Sequence, residues 1–107
     1  MPKFNSLDAL HHDIAAIQNT ITGQRSPLAY RALRRLALAE GWAEFTSCGK
    51  GDHRCFKRKG YPSITVDCPG EGYELTAYVA REKLRAIYAP KLDDILGQFN
   101  PAFQQDV

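Results

Sequence analysis

The sequence predicts a single α+β domain in which a three-stranded antiparallel sheet packs against helices. Two N-terminal segments carry apolar residues at helical spacing, and a third such segment follows Val79. Between Gly41 and Cys68, short segments rich in β-branched and aromatic residues alternate with glycine-containing turns, as in a sheet of short strands. A chain of 107 residues is long enough for one domain with one modest core.

The first helix is predicted to run from Ser6 to Thr22. Asn5 or Ser6 can cap its start, and Gly23 can end it. Its apolar residues recur at spacings of three and four and form a narrow seam, made of Leu7, Leu10, Ile14, Ile17 and Ile21. Such a seam usually packs on the domain's own core. The alternative is a homodimer contact through the same five residues.

The second helix is predicted from the Ser26–Pro27 pair, an N-cap followed by proline in the first turn, to Glu40. Its polar side is rich in arginine. The net charge of +2 hides an asymmetry, because Arg25 to Lys59 contains nine basic residues and three acidic ones. This concentration fits a surface for phosphate backbones. It also fits a solvated helix beside a lysine-protected sheet edge.

The three strands are predicted at Trp42–Cys48, His53–Arg58 and Ser63–Cys68, joined by two glycine turns. In the simplest register, paired residue numbers sum to 101 in the first hairpin and to 121 in the second. That register sets Cys48, His53 and Cys68 side by side on the core face. A slip of one residue inverts the assignment. This register also sets Cys55, Trp42 and Ile64 on the core face. It sets Phe45, Phe56, Arg54 and Arg58 on the opposite face.

The C-terminal part contains one ambiguous segment and two predicted helices. Residues 73–78 fit either a fourth strand or, with Thr76 as cap, the start of a helix. A helix is predicted from Val79 to Ala89 and ends before Pro90. A short helix over 91–98 and a tail complete the chain. The single domain therefore comprises an N-terminal helix (1–24), a core (26–89) and a C-terminal extension (90–107).

His53 is the candidate for chemistry because it follows the glycine-rich turn from Gly49 to Asp52. Backbone amides at Gly51 and the side chain of Lys50 can approach a phosphate closely there. A histidine can accept or donate a proton near neutral pH, and neighbouring cations, Lys50, Arg54 or Lys57, can stabilise charge on phosphoryl oxygens. The alternative is a strand-end histidine that is hydrogen-bonded to a neighbour such as Asp52.

The sequence gives weak grounds for a metal or a cofactor, and we predict neither. Cys48, His53, Cys55 and Cys68 are ligand types that zinc uses, but no CxxC pair is present. Three cysteines without such a pair favour small buried hydrophobes in a reduced, cytoplasmic protein. No apolar run approaches the ~20 residues that span a membrane, and no secretion signal is visible.

Several short motifs resemble the HicA family of toxin ribonucleases. The matching segments are Leu36 with Gly41-Trp42, Gly51-Asp52-His53-Arg54-Cys55-Phe56, Ile64-Thr65-Val66 and Leu84-Arg85-Ala86-Ile87. The resemblance implies an α-β-β-β-α core like that of double-stranded-RNA-binding domains, to which the helix at 6–22 and the segment after Pro90 are additions. It implies an endoribonuclease that cleaves mRNA without a metal, with His53 as its catalytic histidine. It also implies an antitoxin as protein partner.

The leading functional prediction is RNA binding, with His53-dependent cleavage as the specific hypothesis. The predicted RNA- and phosphate-contacting residues are Arg31, Arg34, Arg35, Lys50, Gly51, Arg54, Lys57 and Arg58. One alternative is a non-catalytic module that binds nucleic acid or inhibits a protein partner. Another is a protein-interaction module that uses the seam between Leu7 and Ile21.

Overall fold

A computed structural model describes residues 7–45, 53–67, 70 and 72–99 of the chain. It contains three helices and five strands within these residues. In chain order they are α1 (Leu7–Thr22), β1 (Leu28–Ala29), α2 (Tyr30–Ala39), β2 (Ala43–Phe45), β3 (His53–Lys57), β4 (Ile64–Asp67), β5 (Glu74–Leu75) and α3 (Ala77–Phe99).

The predicted fold class is confirmed. Strands β2, β3 and β4 form an antiparallel sheet in the order β2-β3-β4, packed against helices. The ambiguous segment at 73–78 contains both predicted features, because β5 is a strand and α3 begins at Ala77. The Val79 amide donates to the Thr76 hydroxyl at 3.3 Å, as expected of a cap. Strand β5 pairs antiparallel with β1 in a separate two-stranded sheet that the sequence analysis did not predict.

The predicted register is wrong by one residue in both hairpins. Phe45 pairs with Cys55, and His53 pairs with Asp67 and not with Cys68. A shift of one residue reverses which face of the sheet a side chain occupies. Strand β3 is inverted relative to the prediction as a result. Of the predicted row of Cys48, His53 and Cys68, only His53 lies within the described residues, and it pairs with Asp67.

The core lies between one face of the sheet and the helices. This core face carries Phe56, Ile64 and Val66, all buried. The ring of Tyr30, at the start of α2, stacks on Phe56 with the ring centroids 6.2 Å apart. The core also contains Leu33 and Ala37 from α2 and Ala80, Leu84 and Ile87 from α3. Aromatic and aliphatic side chains thus fix both helices on the same face of the sheet.

The opposite face, which we call the open face, carries Phe45, Lys57, Thr65 and Asp67, all exposed. No described helix covers it, since α1, α2 and α3 all contribute to the core on the other side. Cys55 is the buried exception on the open face. The sheet therefore presents one covered face and one face with side chains accessible to solvent.

Two helix boundaries differ from the predictions. Helix α2 begins at Tyr30, because Leu28–Ala29 forms β1 and so displaces the predicted start at Pro27. Helix α3 continues through Pro90 to Phe99, so the prediction that Pro90 ends it is wrong. Proline removes one backbone donor but does not always end a helix that tertiary contacts support. The indole N–H of Trp42 donates to the Ile87 carbonyl, less than one turn before Pro90, at 3.0 Å.

Helix α1 packs on α3 within the chain. Ile17 and Ile21 are buried in the core, and Ile14 is partly buried against it. These three residues of the seam therefore contact the domain's own core, which is the first of the two predicted alternatives. The side chains of Leu7 and Leu10 lie outside the described part of the structure.

Candidate functional site

His53 and Asp67 form a close histidine–carboxylate pair at one end of the open face. His53 begins β3 and Asp67 ends β4, and the antiparallel register sets them directly opposite each other. His53 Nε2 lies 2.8 Å from Asp67 Oδ1, and the two side chains are 38% and 73% exposed. The carboxylate partner comes from the neighbouring strand. The expected alternative partner, Asp52, lies outside the described residues.

The pair opens onto a groove between β4 and the start of α3. The groove has a volume of about 320 Å³ and is lined by His53, Asp67, Tyr73, Glu82 and Lys83, among others. The Lys83 ammonium lies 3.6 Å from the Glu82 carboxylate, and the Lys83 side chain is 22% exposed. The groove therefore combines an imidazole, two carboxylates, a phenol and an ammonium group.

Lys83 and Asp67 are site residues that the sequence analysis missed. Asp67 follows directly from the correct register, because it is the residue opposite His53 on the adjacent strand. Lys83 lies on α3, and no local pattern links it to the segment around His53. It joins the groove only because α3 packs beside the edge of β4.

Arg34 and Arg54, two of the predicted phosphate-binding residues, are paired with Glu44. Arg34 Nε lies 2.6 Å from Glu44 Oε1, and Arg54 Nη1 lies 3.6 Å from Glu44 Oε2. The Tyr30 hydroxyl donates a short hydrogen bond to the same carboxylate, and Arg54 lies 5.6 Å from the centroid of the Tyr30 ring. Arg54 therefore points to the core face, away from the side of β3 that carries His53.

The environment of Glu44 changes the pKa of its carboxyl group. Burial alone would raise this pKa, since it penalises the charged form. The hydrogen bond from Tyr30, the hydrogen bond and charge of Arg34 and the charge of Arg54 outweigh burial, so the pKa lies below its ordinary value of 4.5. Glu44 is therefore ionised at neutral pH and balances part of the charge of the two arginines.

The remaining predicted basic residues do not form one continuous surface. Arg58 donates to the Glu40 carbonyl at the end of α2 and is part-buried. Arg31 and Arg35 are exposed on α2, whereas Lys57 is exposed on the open face of the sheet. The sheet separates these two groups. Lys50 and Gly51 lie outside the described residues.

The cysteine predictions are corrected at one position. Cys55 is disulfide-bonded, so the expectation of reduced cysteines is wrong there. Cys48 and Cys68 lie outside the described residues. Within the part of the chain that the structure describes, no group of three or more His, Cys, Asp and Glu side chains is arranged to hold a metal ion.

The His53–Asp67 arrangement suits proton transfer. A neutral imidazole that donates its Nε2 proton to a carboxylate carries its basic lone pair on Nδ1. The carboxylate orients the ring and stabilises the imidazolium that forms when Nδ1 accepts a proton. Lys83, in the same groove, can stabilise negative charge that develops on a bound group.

No family model, curated protein or solved structure matches this chain. The fold and the groove define it as an α+β domain with a histidine–carboxylate pair beside a lysine. Among the residues described, no helix has the length and apolar character that a membrane span requires.

Proposed function

We propose that the protein is a HicA-like endoribonuclease that cleaves RNA at the groove beside His53 without a metal ion. The single observation that carries the proposal is the His53–Asp67 pair, 2.8 Å apart and accessible to solvent, in a groove that also contains Lys83. Three side chains with suitable chemistry, from β3, β4 and α3, are thereby brought to one place.

The order of elements supports the same proposal. Helix α2, strands β2, β3 and β4, and helix α3 occur in the order α-β-β-β-α that the HicA resemblance implies, with the two-residue strand β5 inserted between β4 and α3. The residue that the resemblance makes catalytic, His53, is also the one that has a carboxylate partner and an adjoining groove. One fold hosts many functions, so the site carries more weight here than the fold.

The proposed reaction is an internal transfer at the phosphate. His53 accepts the proton of a ribose 2′-hydroxyl, and that oxygen forms a bond to the adjacent phosphorus. The bond from phosphorus to the 5′ oxygen of the next nucleotide breaks, and this oxygen takes a proton from water. The products are a 2′,3′-cyclic phosphate and a 5′-hydroxyl. Lys83 stabilises the charge on the phosphoryl oxygens, and Asp67 positions the imidazole.

The test is cleavage of a single-stranded RNA oligonucleotide by the purified full chain in the presence of EDTA. Wild type should produce fragments that end in a 2′,3′-cyclic phosphate, and a 2′-O-methyl oligonucleotide should remain intact. Loss of a general base typically costs about 10²- to 10⁴-fold in rate, so His53→Ala should lose cleavage by that factor. Lys83→Gln should lower kcat, because its charge acts mainly on the transition state.

His12→Ala is the matched control. His12 lies on α1, does not line the groove, and has a side chain that is 84% exposed. This variant should cleave like wild type. Equal activity in His53→Ala and wild type would contradict the proposal, as would cleavage of the 2′-O-methyl strand. Cleavage by wild type that EDTA abolishes would contradict the metal-independent mechanism.

A second candidate function is nucleic-acid binding without cleavage. It is favoured by the two carboxylates of Asp67 and Glu82 in the groove, since negative charge there repels a phosphate. Binding would then depend on exposed arginines of α2, Arg31 and Arg35. In this case Arg31→Ala should weaken RNA binding and reduce the salt slope, whereas His53→Ala should leave binding unchanged and no variant should cleave.

We further propose RNA and an antitoxin protein as partners, and the cytoplasm as the compartment, as the resemblance implies. The disulfide at Cys55 argues against the last point, since thiols are normally kept reduced in the cytoplasm. Titration of thiols in protein denatured directly from cells tests this. Three titrating thiols per chain would agree with the cytoplasm, and a single one would contradict it.

A further inference from the structure

An aromatic ring and a cation lie together on the open face of the sheet. Phe45, the last residue of β2, is 45% exposed although it is a large hydrophobic residue. The Lys57 ammonium, on β3, lies 5.2 Å from the centroid of the Phe45 ring. Neither residue belongs to the groove beside His53. An accessible aromatic ring next to a flexible cation has the chemistry that proteins use to bind single-stranded nucleic acid.

These two residues have a fixed position relative to His53. Phe45 pairs directly with Cys55, and His53 lies two residues before Cys55 on the same strand and the same face. Two residues along a strand span about 6.6 Å, and diagonal neighbours across a ladder are about 7–8 Å apart. Phe45 and His53 are therefore diagonal neighbours on the same face of the sheet. Lys57 lies two residues after Cys55 on β3, in the direction away from His53.

We propose that Phe45 and Lys57 form a subsite for one nucleotide of single-stranded RNA, next to the phosphate at His53. The inference rests on the proposed function, because that function identifies the ligand as RNA and places one of its phosphates at His53, which sets the path of the RNA strand across the sheet. The nucleobase stacks on the Phe45 ring. The Lys57 ammonium exchanges its contact with the ring for the phosphate on the side away from His53.

Single strands fit this subsite better than duplexes. A base can stack on a protein ring only when it is not already stacked within a helix, and sequence-tolerant binding of single strands combines aromatic rings with basic side chains in this way. Lys57 can also move easily, because its side chain is long and exposed. A protein partner lacks the phosphate backbone that a cation beside the ring would contact.

The experiment measures binding and stacking without cleavage. The probe is a single-stranded 2′-O-methyl RNA oligonucleotide that contains one 2-aminopurine, a base whose fluorescence falls when it stacks. Binding is followed by anisotropy of an end label and stacking by the 2-aminopurine signal, with the full-length protein. A duplex of the same sequence is measured in parallel.

Four variants separate the contributions. Phe45→Leu keeps an apolar side chain but removes the ring, and it should raise Kd roughly tenfold and abolish the quenching. Phe45→Trp should retain both. Lys57→Gln should reduce the slope of log K against log salt by about 0.7, as for one phosphate contact on a single strand. Tyr78→Leu is the control, because Tyr78 is an aromatic residue of α3 that is 71% exposed, and it should match wild type.

Circular dichroism of each variant shows whether it folds, and Phe45→Trp keeps the test valid if Phe45→Leu does not. Unchanged Kd and quenching in a folded Phe45→Leu would overturn the subsite even if His53-dependent cleavage is observed. Absence of quenching in wild type, or tighter binding of the duplex, would also overturn it and would leave the face to another occupant, such as a protein. Quenching that depends on Phe45, without cleavage of unmodified RNA, would support the subsite and refute only the proposed cleavage.

Discussion

Removal of the Glu44 carboxylate should lower the free energy of unfolding by a measurable amount. The Glu44 side chain is 13% exposed, and its carboxylate contacts Tyr30 and Arg34 of α2 and Arg54 of β3. Glu44→Ala leaves the Tyr30 hydroxyl without this acceptor and removes the counter-charge of two arginines. Because Tyr30 is fully buried, its hydroxyl cannot easily replace the lost bond with one to water.

The magnitude follows from the exposure of each partner. The buried hydroxyl that loses its charged acceptor costs about 1.5–3 kcal/mol. The pair with Arg34 adds at most about 1 kcal/mol, because that arginine is 47% exposed and its charge is screened. The contact with Arg54 at 3.6 Å adds less. We expect a loss of about 3 kcal/mol in the free energy of unfolding, a large fraction of the 5–15 kcal/mol typical of small domains.

The assay is equilibrium unfolding in urea, followed by tryptophan fluorescence. With a slope of about 2 kcal/mol per molar urea, the midpoint should fall by roughly 1.5 M. Glu74→Ala is the matched control, since Glu74 is exposed on β5, and it should stay within about 0.5 kcal/mol of wild type. If Glu44→Ala also unfolds within about 0.5 kcal/mol of wild type, the carboxylate does not stabilise the contact between α2 and the sheet.

Three further outcomes are expected. The folded pKa of Glu44 lies below its ordinary value of 4.5, so its ionised form stabilises the fold above pH 4.5 and this stability is lost as the pH falls through the folded pKa. The advantage of wild type over Glu44→Gln in urea should therefore be complete at neutral pH and shrink as the pH falls below 4.5. Gly41→Ala and Gly60→Ala both place alanine at positive φ (90° and 88°), but only at Gly41 would the new Cβ lie 3.0 Å from an Arg58 nitrogen, so Gly41→Ala should lower the thermal midpoint more. Trp42→Phe removes the indole donor to the last helix and should cost about 2 kcal/mol in urea unfolding, followed for this variant and wild type by circular dichroism because Trp42 is the only tryptophan.

Each of these outcomes has a result that would contradict it. A difference between wild type and Glu44→Gln that stays constant with pH would show that the charge of the carboxylate is not the stabilising feature. Equal thermal midpoints for Gly41→Ala and Gly60→Ala would mean that Arg58 moves aside at no cost. A Trp42→Phe protein as stable as wild type would show that the indole hydrogen bond contributes nothing net.

The sequence was sufficient for the local elements of the fold and insufficient for the pairing between them. The helical spacing from Leu7 to Ile21 and the alternation in Ile64-Thr65-Val66 predicted α1 and β4 correctly, because both signals depend on neighbours in the chain. The hairpin register depends on turn geometry, and a change of one residue moved His53 and Phe56 to opposite faces from those predicted.

The candidate site was predictable only at His53, which follows a glycine-rich turn. Asp67 and Lys83 come from other elements, and their contribution depends on the register of β4 and on the packing of α3. Glu44 was counted only as a charge in the sequence analysis. Its role as partner of Arg34 and Arg54 depends on the packing of α2 on the sheet. Because Glu44 balances part of the charge of these two arginines, a count of basic residues overstated the phosphate-binding surface.

The pairing of β1 with β5 has a consequence for the order of folding. Leu28 meets Leu75 and Ala29 meets Glu74, so this two-residue ladder closes a loop that contains α2 and the whole three-stranded sheet. Closing so long a loop has an entropic cost, and two residue pairs contribute too little stabilisation to offset it before the three-stranded sheet has formed. The ladder should therefore form late and open first. Because Tyr73 and Leu75 line the groove beside His53, the amide protons of this ladder would report by hydrogen exchange how often that side of the groove loosens.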